Sequence, residues 1–204
     1  MIRELVTQTR TVRRFQENKA LSRATVEELV QLARFGGSAR NSQPLRYMII
    51  TEKNMRARVF PHLGWAGYLR DWAGPEEGER PTAYILCLLT KKRCVGPEHE
   101  AYFDLGISTQ NILLGAAEKG IFGCRIGSFS KNLAANMGIG DDHKVLLVLA
   151  LGYPAEKVVI EEVASDGDVR YWRDSQGVHH VPKRILTDIL YPVPGEDSVP
   201  VPEV

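Results

Sequence analysis

Short, almost wholly apolar runs along the chain predict three buried strands. They are the runs Tyr47–Thr51, Ala83–Thr90 and Val145–Leu151, each too short for a helix of ordinary length. Segments with helical spacing lie before and between them. The resulting order, in which helices and strands alternate three times, predicts a layered α/β or α+β domain.

One helix is predicted before the first strand. The segment 25–33 places apolar residues at helical spacing. Thr25 followed three residues later by Glu28 fits a capping box, which predicts the beginning of the helix at this point. Gly36 and Gly37 predict where the helix stops, because glycine readily adopts the backbone conformation that ends helices.

A longer helix is predicted over Glu98–Lys119, and its apolar residues surround most of its circumference. A helix that is apolar on most faces lies at the centre of a protein or at an interface. Shorter helices are predicted over 53–63, where Pro61 interrupts the pattern, and from Ser130 to Met137. The residues 123–130 are predicted to form a loop.

Two segments are predicted to be irregular. The tryptophan-rich segment, residues 64–81, holds two Trp, one Tyr, four Gly and two Pro. Long loops of this kind are usually functional or mobile. The residues 191–204 contain four prolines and predict an extended C-terminal arm. Because no repeat and no clean linker divides the chain, the sequence predicts a single domain over 1–204.

Composition and charge exclude several classes of protein. The chain has 204 residues, of which 44% are hydrophobic and 25% charged, as in folded globular proteins. A formal net charge of +1 offers no bulk field for nucleic acid. No apolar run reaches the roughly 18 residues of a membrane span. The three cysteines are widely spaced and predict no disulfide framework. A cytoplasmic protein without a membrane or nucleic-acid partner is expected.

A polar loop, residues 38–43, precedes the first predicted strand. Ser38, Asn41 and Gln43 place hydroxyl and amide groups in this loop, directly before Pro44. Such donors and acceptors suit the polar edge of a heterocycle or a ribityl chain. Ser and Asn also favour loops for local backbone reasons, so the loop alone leaves both interpretations open.

A basic segment, residues 10–15, carries Arg10, Thr11 and Arg13 close together. Guanidinium groups bind phosphate oxygens through paired hydrogen bonds, and a hydroxyl adds another, so these residues could converge on one phosphate. Lys183 and Arg184 would complete an anion cage if they lay near this segment in space. The alternative for both groups is an exposed, solvated position, which is common for runs of charge.

Other candidate motifs are weak or absent. The chain lacks the P-loop, zincin and hydrolase motifs, and it lacks a GxGxxG after the first strand. His179 and His180 have no evident third ligand, so no metal site is predicted. Cys124 has no nearby base in the sequence that would make it a nucleophile. Gly127 could let the backbone approach a flat ligand closely, although this stretch alone favours a simple turn between two helices.

Four segments, in this order, resemble the nitroreductase family of flavin enzymes. They read TRTVRRF, GGSARNSQPLRYMII, DLGISTQNILLGAAEKGIFGCRIGS and VLLVLALGYPAE, and the resemblance covers roughly residues 7–190. The resemblance implies an α+β fold, an α-β-α sandwich with a central, mostly antiparallel sheet. It also implies an intertwined homodimer that binds FMN without a covalent bond at the subunit interface, with NAD(P)H as co-substrate.

The resemblance implies one phosphate site, formed by residues from near both ends of the chain. Arg10, Thr11 and Arg13 match the Arg-Arg-Ser-x-Arg segment with which the family binds the flavin phosphate. Threonine replaces serine here but keeps the hydroxyl. Lys183 and Arg184 resemble the late basic pair of the family, which serves the same phosphate.

The resemblance also implies contacts to the rest of the cofactor. Ser38, Asn41 and Gln43 match the Pro-Ser-x-x-Asn-x-Gln-Pro loop of the family, which reaches the flavin partly from the partner subunit. Ile126 and Gly127 match backbone positions beside the flavin ring. The chain departs from the family at Leu45, where an aromatic residue is frequent. The tryptophan-rich segment is longer than in minimal members and falls where the family varies its substrate-side cover.

The implied reaction needs no catalytic side chain, because a flavin performs the redox chemistry itself. Hydride is expected to pass from NAD(P)H through flavin N5 to a nitroaromatic, a quinone or a similar small acceptor, in ping-pong order. Arg13 and Arg70 are candidates for a positive charge near the flavin pyrimidine. Other flavin chemistry on this fold, either flavin breakdown or reductive dehalogenation, is one alternative. A non-enzymatic module that binds anions through its basic N-terminus is another.

Overall fold

The computed structural model describes residues 1–194. Two compact units divide the chain, Met1–Glu156 and Lys157–Val204. Most of the predicted C-terminal arm, 191–204, lies outside the described residues. Within the described residues, no helix has the length and apolar character needed to cross a membrane.

The first unit contains helices α1 to α5 and strands β1 to β4. The helices are α1 Ile2–Gln8, α2 Arg23–Arg34, α3 Lys53–Val59, α4 Glu98–Glu118 and α5 Leu133–Asn136. The strands are β1 Leu45–Ile50, β2 Ala83–Thr90, β3 Phe122–Ile126 and β4 His143–Gly152. Single turns of 3-10 helix lie at Ala39–Asn41, Phe60–His62 and Lys91–Arg93. The three strands and the long helix predicted from the sequence are therefore confirmed.

The four strands form one sheet in the order β1-β2-β4-β3. Every neighbouring pair is antiparallel, which confirms the predicted α+β class with an antiparallel central sheet. All residues of β2 are buried, as expected for a strand at the centre of the sheet. The strands β1 and β3 are the edges.

Helices cover both faces of this sheet. Successive side chains of a strand point to opposite faces, and the two core clusters follow this alternation along β2. Ile85 belongs to a cluster that contains residues of α2 and α4, such as Leu29 and Ile112. Leu86 belongs to a second cluster, with Val59 of α3 and residues of α5. The arrangement is a three-layer sandwich, as the family resemblance implied.

The loop predicted over 123–130 is wrong in its first half, which forms strand β3. Arg125 lies between two buried residues of β3 and donates to Thr109 and Gln110 of α4 at 2.9 and 2.8 Å. The strand holds only 5 residues and includes a glycine, so its local sequence gives little signal. Its hydrogen-bonding partner is β4, more than a dozen residues later in the chain.

The predicted cap of α2 is also wrong by three residues. Ser22 is the N-cap, and its side-chain oxygen accepts from the Thr25 backbone N–H at 3.0 Å. Thr25 thus lies in the first turn of the helix. Serine is a good cap for the same reason as threonine, because its oxygen satisfies a backbone N–H that has no partner within the helix.

The described part of the second unit contains a small sheet and one short helix. Its strands are β5 Val158–Val163, β6 Trp172–Arg173 and β7 His179–Arg184, followed by helix α6 Leu186–Ile189. The strand order is β5-β7-β6, with β5 parallel and β6 antiparallel to β7. At the turn between β6 and β7, one Asp174 carboxylate oxygen accepts from the N–H groups of Gln176 and Val178.

Candidate functional site

The basic segment lies beside the edge strand β3. Thr11 forms a bridge with Gly123, and the Val12 N–H donates to the Gly123 carbonyl at 3.1 Å. Phe15 is fully buried against Gly152, where an added Cβ would lie 2.8 Å from the Phe15 ring. Backbone pairing and one buried ring therefore set the position of this segment.

Arg10 has a buried nitrogen that the described part of the chain leaves without a hydrogen bond. One terminal nitrogen of its guanidinium donates to the Val6 carbonyl at 2.6 Å. The Nε atom is buried and has no partner among the described residues. Burial lowers the pKa of Arg10. Buried polar groups in native proteins almost always have a partner, so this nitrogen fits an anion bound at the segment.

Arg13 lies deeper than Arg10. Its side chain is 8% exposed and lies beside the Cys124 thiol. Burial raises the pKa of Cys124, and the neighbouring Arg13 charge opposes this shift. The backbone N–H groups of Arg13 and Arg14 both donate to the Glu156 carboxylate. A buried thiol with a raised pKa is a poor nucleophile, which agrees with the absence of a base near Cys124 in the sequence.

The polar loop has an unusual backbone. Arg40, Asn41 and Gln43 have φ angles of 56°, 51° and 46°, a region that residues other than glycine rarely adopt. Two carboxylates of α4 contact the loop. Asp104 accepts from the Ser38 hydroxyl at 2.6 Å and from the Ala39 N–H at 2.8 Å. Glu100 accepts two hydrogen bonds from the Arg40 guanidinium, each 3.0 Å long.

Asn41 and Gln43, two of the predicted cofactor residues, are exposed side by side. The Gln43 side-chain amide donates to the Asn41 side-chain oxygen at 3.0 Å. Both residues are exposed, so a second molecule could contact their side chains. The sequence pattern points to these two residues but not to the two carboxylates that contact the loop. Their local signal is an acidic side chain at two positions of a helix whose apolar residues surround most of its circumference.

The glycine loop, residues 126–130, follows β3. Ile126 is buried at the end of the strand, whereas Gly127 is exposed. A Cβ atom added to Gly127 would meet no heavy atom of the described chain within 4 Å. The space above this backbone is open, and a flat ligand could lie against it.

The tryptophan-rich segment contains no helix and no strand, as predicted, and it is anchored to the glycine loop at its beginning. Leu63 forms a bridge with Phe129, and the Gly64 N–H donates to the Ser128 carbonyl at 2.8 Å. The Ser130 N–H donates to the His62 carbonyl at the same distance. These bonds fix the first residues of the segment beside Gly127.

The other end of the tryptophan-rich segment is anchored to the basic segment. The Phe15 N–H donates to the Glu79 carbonyl at 2.9 Å, and the Glu17 N–H donates to the Gly78 carbonyl at 3.1 Å. Arg14 forms an ion pair with the Glu79 carboxylate at 3.2 Å. The residues between the two anchors therefore connect the glycine loop to the basic segment. Arg70, a predicted positive charge near the flavin, is exposed on this connection.

A cavity of about 470 Å³ lies between α2 and β1. Its apolar wall is formed by Val30, Ala33, Leu45, Tyr47 and Ile49, and its polar lining includes Ser38, Gln43, Asp104 and Ser108. Burial raises the pKa of Tyr47 to about 12, and a hydrogen bond with Ser108 partly opposes this shift. The cavity places apolar space directly beside the polar loop.

Lys183 and Arg184 lie at the end of β7 in the second unit. Both are exposed, and Arg184 donates to the Asp188 carbonyl. Their register places Lys183 opposite Glu162 of β5. The anion cage that they would form with Arg10 and Arg13 stays a prediction. In the described residues, no three His, Cys, Asp or Glu side chains are grouped to bind a metal ion.

Several solved structures share this fold. A nitroreductase family protein from Clostridium novyi NT is 18% identical, with 76% of this chain and 85% of that chain covered and a TM-score of 0.63. A candidate nitroreductase from Exiguobacterium sibiricum 255-15, in complex with FMN, is 18% identical with coverages of 76% and 89% and a TM-score of 0.64. The NADPH:FMN oxidoreductase from Vibrio harveyi, complexed with NAD+, is 19% identical with coverages of 74% and 68% and a TM-score of 0.59.

At these identities the likeness to solved structures shows the fold alone. The search of curated proteins gave no match. Family membership is shown instead by a sequence profile, that of the nitroreductase family, which matches residues 6–153. This match spans the basic segment, the polar loop, the whole antiparallel sheet and the glycine loop. The chain belongs to the nitroreductase family.

Proposed function

We propose that the protein binds FMN and acts as an NAD(P)H-dependent oxidoreductase on nitroaromatics, quinones or similar small acceptors. Members of the nitroreductase family are oxidoreductases. The observation that carries the cofactor assignment is the buried Arg10 Nε without a partner in the described chain. Two proteins of similar fold support it, one solved with FMN and one an NADPH:FMN oxidoreductase.

The phosphate of the cofactor is assigned to the basic segment. Arg10 would donate its unpartnered Nε–H, and Thr11 and Arg13 lie on the same short stretch beside β3. Charge-assisted hydrogen bonds to phosphate are about twice as strong as neutral ones, and the phosphate charge would oppose the burial that lowers the Arg10 pKa. Lys183 and Arg184 are proposed to complete this site.

The ring of the cofactor is assigned to the glycine loop. Ile126 and Gly127 would offer backbone groups, and the open space at Gly127 lets a planar ligand approach them. The chemistry that FMN supplies when bound is two-electron transfer from NAD(P)H to the acceptor. The protein binds and orients the reactants, and Arg13 or Arg70 would add positive charge beside the pyrimidine.

A homodimer is proposed to bring the polar loop of one copy to the cofactor of the other. Large apolar side chains are exposed on α4 and at the end of α2: Phe103 is 64% exposed, Ile107 45% and Phe35 68%. Exposed apolar residues that lie together commonly mark a protein interface. In a two-fold dimer the same patch would meet itself. Asn41 and Gln43, exposed in the loop that α4 holds, would then face the partner.

The proposal is tested by purifying the protein and recording its visible spectrum before and after adding FMN. We expect the purified protein to be yellow or to bind added FMN. We also expect NADH or NADPH to reduce the bound flavin in an anaerobic stopped-flow experiment. Protein that is colourless and fails to bind FMN would contradict the proposal. Comparing the two nicotinamides in the same experiment gives the preference between them.

Flavin breakdown or reductive dehalogenation is the second candidate on the same fold. The anchoring of the tryptophan-rich segment at both ends favours it, because a fixed segment beside the glycine loop could enclose a substrate. Product analysis after anaerobic reduction separates the candidates: ring fragments or released halide support the second, and a reduced acceptor alone supports the first. A cytoplasmic location and a single domain over 1–204 stay predictions.

A further inference from the structure

We propose that Asp104 is a positioning residue, which acts through Ser38 to hold the polar loop in the shape that contacts the cofactor. The inference rests on the proposed function, because the loop is assigned to a flavin bound with a second copy. It gives Ser38 a role within its own loop, in place of direct contact with the flavin.

The Asp104 carboxylate is buried and both of its oxygens are engaged by the loop. Its residue is 4% exposed. One oxygen accepts from the Ser38 hydroxyl at 2.6 Å and the other from the Ala39 N–H at 2.8 Å. Burying a carboxylate is unfavourable unless donors replace its water. Both of these donors come from residues more than sixty positions earlier in the chain. The conformation of the loop is therefore fixed by a tertiary contact with α4.

Ser38 connects Asp104 to the last residue of the loop. Its oxygen accepts from the Gln43 backbone N–H at 3.0 Å while its hydroxyl donates to Asp104. The first and last residues of the loop are therefore joined through one hydroxyl. The backbone that this hydroxyl closes includes three residues with positive φ angles, Arg40, Asn41 and Gln43. Such angles are strained unless the surrounding structure supports them.

The groups left for a ligand are those of Asn41 and Gln43. Both side chains are exposed, and their mutual hydrogen bond of 3.0 Å orients them together. Without the Asp104–Ser38 link, the loop would sample other backbone shapes and this pair would be oriented correctly for less of the time. Binding of the cofactor would weaken accordingly, because only the competent fraction binds.

A second carboxylate on α4 offers a matched control. Glu100 lies one helical turn before Asp104 and binds Arg40 of the same loop, but the Arg40 side chain is 59% exposed. Exposed ion pairs contribute little to stability. The substitution Glu100→Gln removes the negative charge from this second loop contact without touching the link through Ser38.

The test compares five variants: Asp104→Asn, Ser38→Ala, the double variant, Ser38→Thr and Glu100→Gln. Affinity for FMN is measured by quenching of flavin fluorescence. We expect Asp104→Asn and Ser38→Ala each to weaken binding about tenfold, which is typical of losing one charge-assisted hydrogen bond. The double variant should bind FMN no more weakly than either single variant does. Ser38→Thr keeps the hydroxyl and should restore affinity, and Glu100→Gln should bind as the unaltered protein does.

Two outcomes of the titration would overturn the proposal. Unchanged affinity in Asp104→Asn would show that the link is dispensable. If the losses in the double variant multiply, Ser38 contacts the flavin independently of Asp104. At saturating FMN, kcat of each folded variant should match that of the unaltered protein, because the link orients the loop and takes no part in electron transfer.

A measurement without FMN separates failure of this inference from failure of the proposed function. Amide hydrogen exchange over the polar loop should be faster in Asp104→Asn and in Ser38→Ala than in Glu100→Gln, since the Gln43 N–H loses its held acceptor. Equal exchange in all of these variants would contradict the positioning role. If the unaltered protein binds no FMN but the exchange differs as expected, the cofactor assignment fails while the Asp104–Ser38 link stands.

Discussion

The Gly64 N–H donates to the Ser128 carbonyl at 2.8 Å and joins the tryptophan-rich segment to the glycine loop. The two residues are in such close contact that a Cβ on Gly64 would lie 2.6 Å from the Ser128 hydroxyl oxygen. The first anchor of the segment therefore depends on a residue without a side chain.

Substitution of Gly64 should disturb the glycine loop. We expect Gly64→Ala to lower the free energy of unfolding by about 1–3 kcal/mol, the usual effect of an added group in a packed site. Ser128→Gly removes the side chain that the new methyl would meet and should recover part of the loss when combined with Gly64→Ala. Chemical denaturation of the single and double variants measures this. Simple addition of the two single effects would contradict the proposed clash.

Substitution of Arg10 should weaken binding of FMN more than binding of riboflavin, which lacks the phosphate. We expect Arg10→Gln to raise the Kd for FMN about tenfold, because a charge-assisted hydrogen bond to phosphate is lost. Fluorescence titration with both flavins gives the comparison. Arg3→Gln, at an exposed position in α1, is the control and should leave both affinities unchanged. An equal effect of Arg10→Gln on both flavins would place Arg10 away from the phosphate.

Phe103 should lie in the interface of the proposed homodimer. We expect Phe103→Glu to shift the protein towards the monomer, because dimer formation would bury a charge without a partner. Sedimentation velocity over a range of protein concentrations measures the dissociation constant. Val95→Glu alters another apolar residue, 78% exposed and just before α4, and serves as the control. The interface lies elsewhere if both variants dimerise as the unaltered protein does.

His180 should make stability depend on pH. Its ring is stacked on Trp172 at 4.0 Å between centroids, and its two nitrogens face carboxylates of Glu161 and Asp174. The hydrogen bond with Glu161, helped by Asp174, raises the pKa of His180 above the ordinary value of 6.5. The protonated His180 ring stabilises the folded state through these two carboxylates. Because its pKa is raised in the folded state, this stabilisation is fully present below pH 6.5 and is lost as pH rises through the folded-state pKa.

Thermal denaturation from pH 5 to pH 9 tests this dependence. The melting temperature of the unaltered protein should fall more steeply with rising pH, from just above 6.5, than that of His180→Gln, which has no charge to lose. His99→Gln changes an exposed histidine outside this cluster and should keep the original profile. Parallel profiles for the unaltered protein and His180→Gln would contradict a charged His180.

The strand β3 and the cap of α2 show where local sequence is insufficient. Glycine and arginine within Phe122–Ile126 weaken the apolar run that marks a strand, and only pairing with β4 makes this stretch extended. At the cap, Ser22 and Thr25 are both good candidates from their chemistry. Which of them begins the helix depends on how the preceding chain enters the fold.

The sequence by itself determined the three apolar strands, the long helix, the irregular tryptophan-rich segment and the motifs of the family. These features are local, because strand and helix periodicity and turn-forming residues act over a few neighbouring positions. Only the tertiary structure decided that Asp104 meets Ser38 and that the tryptophan-rich segment joins the glycine loop to the basic segment. Such contacts join residues far apart in the chain, and no local pattern records which buried donor will meet which acceptor.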